Sequence, residues 1–166
     1  MTARRCLLWP DRRLRTRADS VAAIRPEHHA IWQDMIDTME AMPGVGLAAV
    51  QIGVMERLAV VDASRARGQA LRMANPEIIA ADATLRAHDE GSPNLPGVQA
   101  RVLRPDTVTV RFLDETGVWQ EKTFEGLWAT SVQHQIDHLD GRMFFDRLSR
   151  MKRDMLLRKA RKVSTA

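Results

Sequence analysis

His134 and His138 stand one helical turn apart in the segment Gln133-His134-Gln135-Ile136-Asp137-His138. On a helix that spacing puts both imidazoles on one face, where they can share a metal ion. In metal hydrolases built on this pattern, the residue after the first His is Glu. It acts as general base on a metal-bound water. Here that residue is Gln135. A carboxamide can orient water through hydrogen bonds but cannot accept a proton at neutral pH. Helices also carry such His pairs by chance, so the pair needs its context.

Gly44-Val45-Gly46-Leu47-Ala48-Ala49-Val50-Gln51 places glycines on either side of Val45. That is the composition of a loop whose backbone must pass close to something. Glu90-Gly91-Ser92-Pro93-Asn94-Leu95-Pro96-Gly97 is the other unusual run, and Gln133-His134-Gln135-Ile136-Asp137-His138-Leu139-Asp140-Gly141 contains the His pair. Together these segments resemble the motifs of the peptide deformylase family, the glycine loop most specifically. Trp9-Pro10-Asp11-Arg12-Arg13-Leu14-Arg15, Asn75-Pro76-Glu77-Ile78 and Asp146-Arg147-Leu148-Ser149 are similar to further landmarks of that family. The resemblance runs in order over nearly the whole chain.

The resemblance implies an α+β fold, with antiparallel sheets around a central helix carrying the His pair and a helix at the C-terminus. It also implies a chemistry. The family removes the formyl group from the N-terminal methionine of nascent chains. It uses one metal ion, usually iron and often replaced by zinc or nickel. Two His and one Cys hold the metal, and a bound water attacks the formyl carbon. The helix Glu moves the proton, and a loop Gln and a backbone N–H receive the oxyanion. Carried over residue by residue, His134 and His138 take the imidazole positions and Ser92 the cysteine position. Gln135 takes the general-base position, Pro93 the position of the oxyanion N–H, and Gln51 the retained oxyanion donor. Gly46, in the glycine loop beside them, is counted with Gln135 and Gln51 among the catalytic positions that the resemblance implies. By offset from the motifs, Val45, His88, Leu127, Thr130 and Ser131 line the pocket for the first side chain of the substrate.

Three of these positions depart from the family pattern, each with a chemical consequence. A serine hydroxyl has a far higher pKa than a thiol and is a poor neutral ligand, so metal affinity should drop. Loss of a general base typically costs roughly 10²–10⁴ in rate. Proline has no N–H to offer an oxyanion, and one lost oxyanion donor costs roughly 10²–10³. The losses need not multiply, because parts of one machine are non-additive. The expectation is a deformylase-like protein with activity absent or severely impaired, holding a divalent metal weakly or not at all. Its partner would be the N-terminal peptide of a nascent chain or a related small peptide. One rival is an active metal-dependent deformylase or amidase with an unusual ligand set or another substrate. A second is a ribosome-associated binding module. Polar Thr130, Ser131 and His88 stand where apolar residues are expected, which suggests a different side chain or a pocket that no longer selects one. If residues 88–92 are extended, His88 lies roughly 13 Å before Ser92 at ~3.3 Å per residue. It could replace the thiolate only through a bend or bulge.

The surrounding elements must hold these residues. The chain of 166 residues suits one domain. At 45% hydrophobic and 28% charged it has a globular balance. The single cysteine, Cys6, excludes an internal disulfide and points to a reducing compartment. The N-terminal apolar run is too short for a signal peptide, and no stretch reaches transmembrane length. The expectation is a cytoplasmic monomer. Residues 1–25 read as irregular. Residues 27–42 read as a helix, with Pro26 at its start and Ile31, Met35, Met39 and Met42 as a core stripe. Residues 57–62 read as a strand, and 71–79 as extended but interrupted at Asn75-Pro76. Residues 107–113 and 118–124 read as a hairpin across Asp114-Glu115-Thr116-Gly117. Residues 125–139 and 148–163 read as helices. Strands in the middle with helices at both ends give α+β. The domain should run over 1–147, with 148–166 a basic helix and tail packed on it. That helix carries Arg150, Lys152, Arg153, Arg158, Lys159, Arg161 and Lys162 against Asp154. It resembles the terminal helix that bacterial deformylases dock near the ribosomal exit tunnel, a charge pattern suited to phosphates.

Overall fold

The structure, a computed structural model, describes residues 3–165. Helix α1 spans Pro26–Ala41. Strands β1 (Gly46–Ala48), β2 (Leu58–Val61), β3 (Leu71–Ala81), β4 (Leu85–Ser92), β5 (Leu95–Pro105), β6 (Thr107–Leu113) and β7 (Trp119–Glu125) follow. Helix α2 (Gly126–Leu139) and helix α3 (Arg150–Thr165) close the chain. Short 3-10 turns occupy Arg12–Arg15, Ala49–Ile52 and Phe144–Arg147. One sheet has the order β1-β2-β3-β6-β7 and the other pairs β4 with β5. All strand pairings within the two sheets are antiparallel, and the fold is α+β, as the sequence predicts.

Helix α1 forms where expected. Pro26 stands in its first turn, and Arg25 and His28 cap it, His28 Nδ1 accepting from the Arg25 N–H at 2.9 Å. Met35 and Met39 are fully buried beside Trp32, Leu47 and Leu58, with Ile31 and Met42 at the margin. The methionine stripe is core. Helix α2 differs in kind, because every residue from Ala129 to Leu139 is buried. A helix buried on all sides sits at the centre of a fold. Ala129, Val132 and Ile136 pack on the large sheet against Val110 and Phe124. The opposite face carries the polar residues of the site.

Strands β4 and β5 are not among the sequence-predicted elements. Arg-Ala-His-Asp-Glu-Gly in one and Pro-Gly-Val-Gln-Ala-Arg in the other show no clean apolar alternation. The hairpin is held from one side by Val98 and Val102, which join the core cluster of Leu139 and Phe144. Buried Arg104 anchors it by ion pairs. The register shifts between Glu90 and Ser92, a bulge that re-aims the residues after it. Strand β3 runs through Asn75-Pro76 with another shift there, Asn75 taking φ 51°. The Asn75 amide holds both the N–H and the C=O of Val21 at 2.8 Å. This fixes part of the irregular N-terminal segment. Leu156 and Ala160 of α3 are buried in the same cluster as Val102 and Phe145. At Gly97, a Cβ would come within 2.5 Å of Val163, so the helix end lies directly on the β4–β5 hairpin. Among the described residues no helix is long and apolar enough to cross a membrane.

Candidate active site

A cleft of about 590 Å³ opens between the glycine loop, the β4–β5 hairpin and α2. From the loop side it takes Val45, Gly46 and Gln51, and from the hairpin His88, Ser92 and Pro93. Helix α2 contributes Leu127, Thr130, Ser131, His134 and Gln135. Of the residues singled out in the sequence, only His138 is outside the lining. It lies behind His134, 1% exposed.

The His pair is set by a buried ion network. Glu90 Oε1 faces His134 Nδ1 at 2.8 Å. A carboxylate only accepts, so that nitrogen carries the proton and His134 Nε2 is left bare, the tautomer that suits a ligand. The Glu90 carboxylate also accepts from Arg104 Nε and Nη2 at 2.6 and 2.9 Å, and Arg104 Nη1 donates to Asp137 at 2.8 Å. Arg147 closes the chain onto Asp137 at 2.7 Å. Burial alone would raise the Glu90 carboxyl, but the bonds from His134 and Arg104 outweigh it and hold it at about 2. Burial, with His134 and Arg104 close by, pushes His138 well below the usual histidine range. His138 is therefore a neutral imidazole at neutral pH.

The Nε2 atoms of His134 and His138 are 3.1 Å apart. That separation is compatible with two nitrogens each about 2.1 Å from one ion. Without an ion, the contact is a hydrogen bond from His138 Nε2–H to the bare His134 nitrogen. His138 Nδ1 is buried with no partner among the described residues. The third donor does not fit. No group of three His, Cys, Asp or Glu side chains among the described residues is arranged to hold a metal. His88 turns its Nδ1 to its neighbour's carbonyl, Asp89 O, at 3.0 Å and belongs to no such group. Ser92 supplies only a hydroxyl, which donates to Asn94 Oδ1 at 3.0 Å and accepts weakly from Gln51 Nε2 and the Asn94 N–H, both at 3.3 Å. The donor set matches a two-nitrogen site and not a centre of two imidazoles and a thiolate.

Gln51 is positioned by the 3-10 turn that follows β1, its Oε1 accepting from the Ala48 N–H at 2.9 Å. Its Nε2 donates to Asn94 Oδ1 at 2.7 Å. One of its two amide hydrogens is thus taken by Asn94, and the other is held only weakly by Ser92 Oγ at 3.3 Å. Asn94, fully buried, lies in the Glu90–Gly97 segment, where the sequence alone assigns it no role. An Asn two positions after Ser92 was the available signal, since its amide can fold back on its own loop. Arg104 and Asp137 were also missed, and no local pattern marks them. Pro93 lines the cleft and offers no N–H. Gln135 is 3% exposed and its Oε1 is buried without a partner. Gly46 is required by close approach, because a Cβ there would lie 2.5 Å from both Gln135 Nε2 and Ser131 Oγ. Ser131 Oγ in turn donates to Val45 O at 2.8 Å. Cys6 immediately precedes Leu7, whose N–H donates to Gln51 O at 2.8 Å, but its own side chain is half-buried beside the α1 core, and burial raises its thiol. It acts as a small apolar side chain.

Comparison with known proteins gives the family. The family described as polypeptide deformylase matches residues 3–154. The chain is 43% identical to the peptide deformylase of Xylella fastidiosa (strain M12), over 94% of this chain and 93% of that one. It is 40% identical to the peptide deformylase of Rhodopseudomonas palustris (strain BisB5), over 99% and 96%. The crystal structure of a peptide deformylase from Legionella pneumophila superposes with TM-score 0.92 at 40% identity, covering 99% and 96% of the two chains. That from Ehrlichia chaffeensis in complex with actinonin gives TM-score 0.92 at 30% identity, covering both chains fully. By sequence and by fold, this chain belongs to the peptide deformylase family.

Proposed function

We propose that this protein keeps the peptide-terminus cleft of a deformylase and hydrolyses formyl peptides very slowly or not at all. The observation that carries this reading is the convergence of Ser92, Pro93 and Gln135 on one cleft beside His134. At these three positions of one cleft lining, the family's thiolate, amide hydrogen and carboxylate base are replaced. The engagement of Gln51 by Asn94 adds to the deficit. In this reading His134 and His138 hold a divalent ion such as iron, zinc or nickel only weakly. If one binds, it would polarise the substrate carbonyl and water. Gln135 orients water or ligand without taking its proton. Gly46 lets the loop come close to α2, and the cleft binds the N-terminal peptide of a nascent chain or a related small peptide. The exposed basic face of α3, with Arg158 and Lys159, supports contact with a phosphate-rich surface such as the ribosome. The compartment that fits is the cytoplasm.

The test is purified protein supplemented with iron, nickel, cobalt or zinc and assayed on a formyl-methionyl tripeptide. Turnover within about tenfold of an ordinary deformylase sinks the proposal. A second reading, a working hydrolase with an unusual ligand set, is favoured by the 3.1 Å approach of the two Nε2 atoms. Elemental analysis separates the two. Stoichiometric metal retained through dialysis supports the hydrolase.

A further inference from the structure

The face that α2 turns to the cleft is polar along most of its length. Leu127, Ser131 and Gln135 form one row, and Thr130 and His134 form the next. Ser131 and His134 have protein partners. Thr130 does not. Its residue is 7% exposed, and its hydroxyl makes no hydrogen bond among the described residues. Gln135 Nε2 makes none either, and a carboxamide hydrogen there is free to donate. On β4, half-buried His88 directs Nδ1 at the Asp89 carbonyl. A carbonyl only accepts, so the proton is on Nδ1 and Nε2 remains an unused acceptor. The cleft therefore holds donors and an acceptor that the protein leaves unanswered. Val45 and Leu127 supply apolar wall for methylene groups. Of its carboxylates, Glu90 is committed to Arg104 and His134, while Asp89 lies 3.6 Å from Arg101 with its side chain largely turned to solvent.

We propose that the cleft selects a peptide terminus whose first side chain ends in an uncharged hydrogen-bonding head, of the glutamine or threonine kind, in preference to methionine. This rests on the peptide-terminus reading above and names the ligand class for that site. An apolar head would strip water from the Thr130 hydroxyl and the Gln135 amide without replacing it, whereas a carboxamide or hydroxyl answers both. Sites that hold polar groups for a partner reject analogues lacking it far more strongly than apolar pockets reject small size changes.

The experiment is a calorimetric panel of X-Ala-Ser peptides, formylated and free, with X as Met, norleucine, Gln, Thr, Lys or Glu. Formate release is measured on the same samples. Gln or Thr should bind at least about tenfold more tightly than norleucine. The variants Thr130→Val and His88→Leu, singly and together, should erase or reverse that preference while the melting temperature stays close to that of the parent. Equal or tighter binding of Met or norleucine, a preference for Lys or Glu, or no binding of any peptide overturns the proposal. Rapid formate release with a retained polar preference instead defeats only the claim of lost catalysis. A Met preference without formate release defeats only this inference.

Discussion

Replacing Ser92 by Cys, Pro93 by Leu and Gln135 by Glu returns a thiolate donor, an N–H and a proton acceptor to the cleft. The structure adds a fourth position. Ser92 Oγ donates to Asn94 Oδ1, and a thiolate cannot. In Ser92→Cys the sulfur would meet that oxygen as acceptor against acceptor. Asn94 cannot turn its amide over freely, because Nδ2 already donates to the Leu7 and Gln51 carbonyls. The same oxygen also holds Gln51 Nε2. The triple variant should therefore bind metal poorly, and adding Asn94→Ser should release both the donor position and Gln51. Gln135→Glu is nearly isosteric in its buried setting. The restored base is expected to contribute roughly 10²–10⁴ in rate, and Pro93→Leu roughly 10²–10³. Because such effects do not multiply, the quadruple variant should exceed the parent by at least about 10². Formate release with nickel or iron, alongside metal content per chain, reads both arms. A folded quadruple variant that holds no metal and releases no formate would refute the argument that these four positions account for the loss.

Other expectations concern the framework. Arg104→Met removes the cation between Glu90 and Asp137 and leaves two buried carboxylates without it. A cost of about 3–5 kcal/mol is expected in urea unfolding, and His134 should lose its fixed orientation, visible as a changed imidazole NMR pattern. Asp146 is held below its ordinary 3.8: burial opposes this, but bonds from Arg15 and the Met143 N–H, with Arg153 close by, prevail. A depressed carboxyl stabilises the fold fully above its unfolded value and loses that contribution as pH falls through the folded one. The stability gap between the parent and Asp146→Asn should therefore be constant at neutral pH and close below about pH 3.8, as followed by thermal melts in acid.

Much of the site is legible in the sequence because it depends on local spacing. The turn-to-turn relation of His134 and His138 and the close-approach glycine at 46 are properties of residue type and position, whereas Ser92 and Pro93 stand out only through the resemblance to the family motifs. The methionine stripe of α1 and the hairpin of β6 and β7 follow from periodicity in the same way. The β4–β5 hairpin does not, because its stability comes from Val98, Val102 and Arg104 meeting partners distant in sequence. The tautomer of His134 is likewise a tertiary matter, since Glu90 reaches it from another element. The same holds for Gln51, whose amide is claimed by Asn94 across the cleft. Residue types and helical spacing determined which chemical groups are present. Only the fold decided which of those groups are already satisfied by neighbours and which remain open to a ligand, because hydrogen bonds between distant segments exist only once the chain has closed on itself.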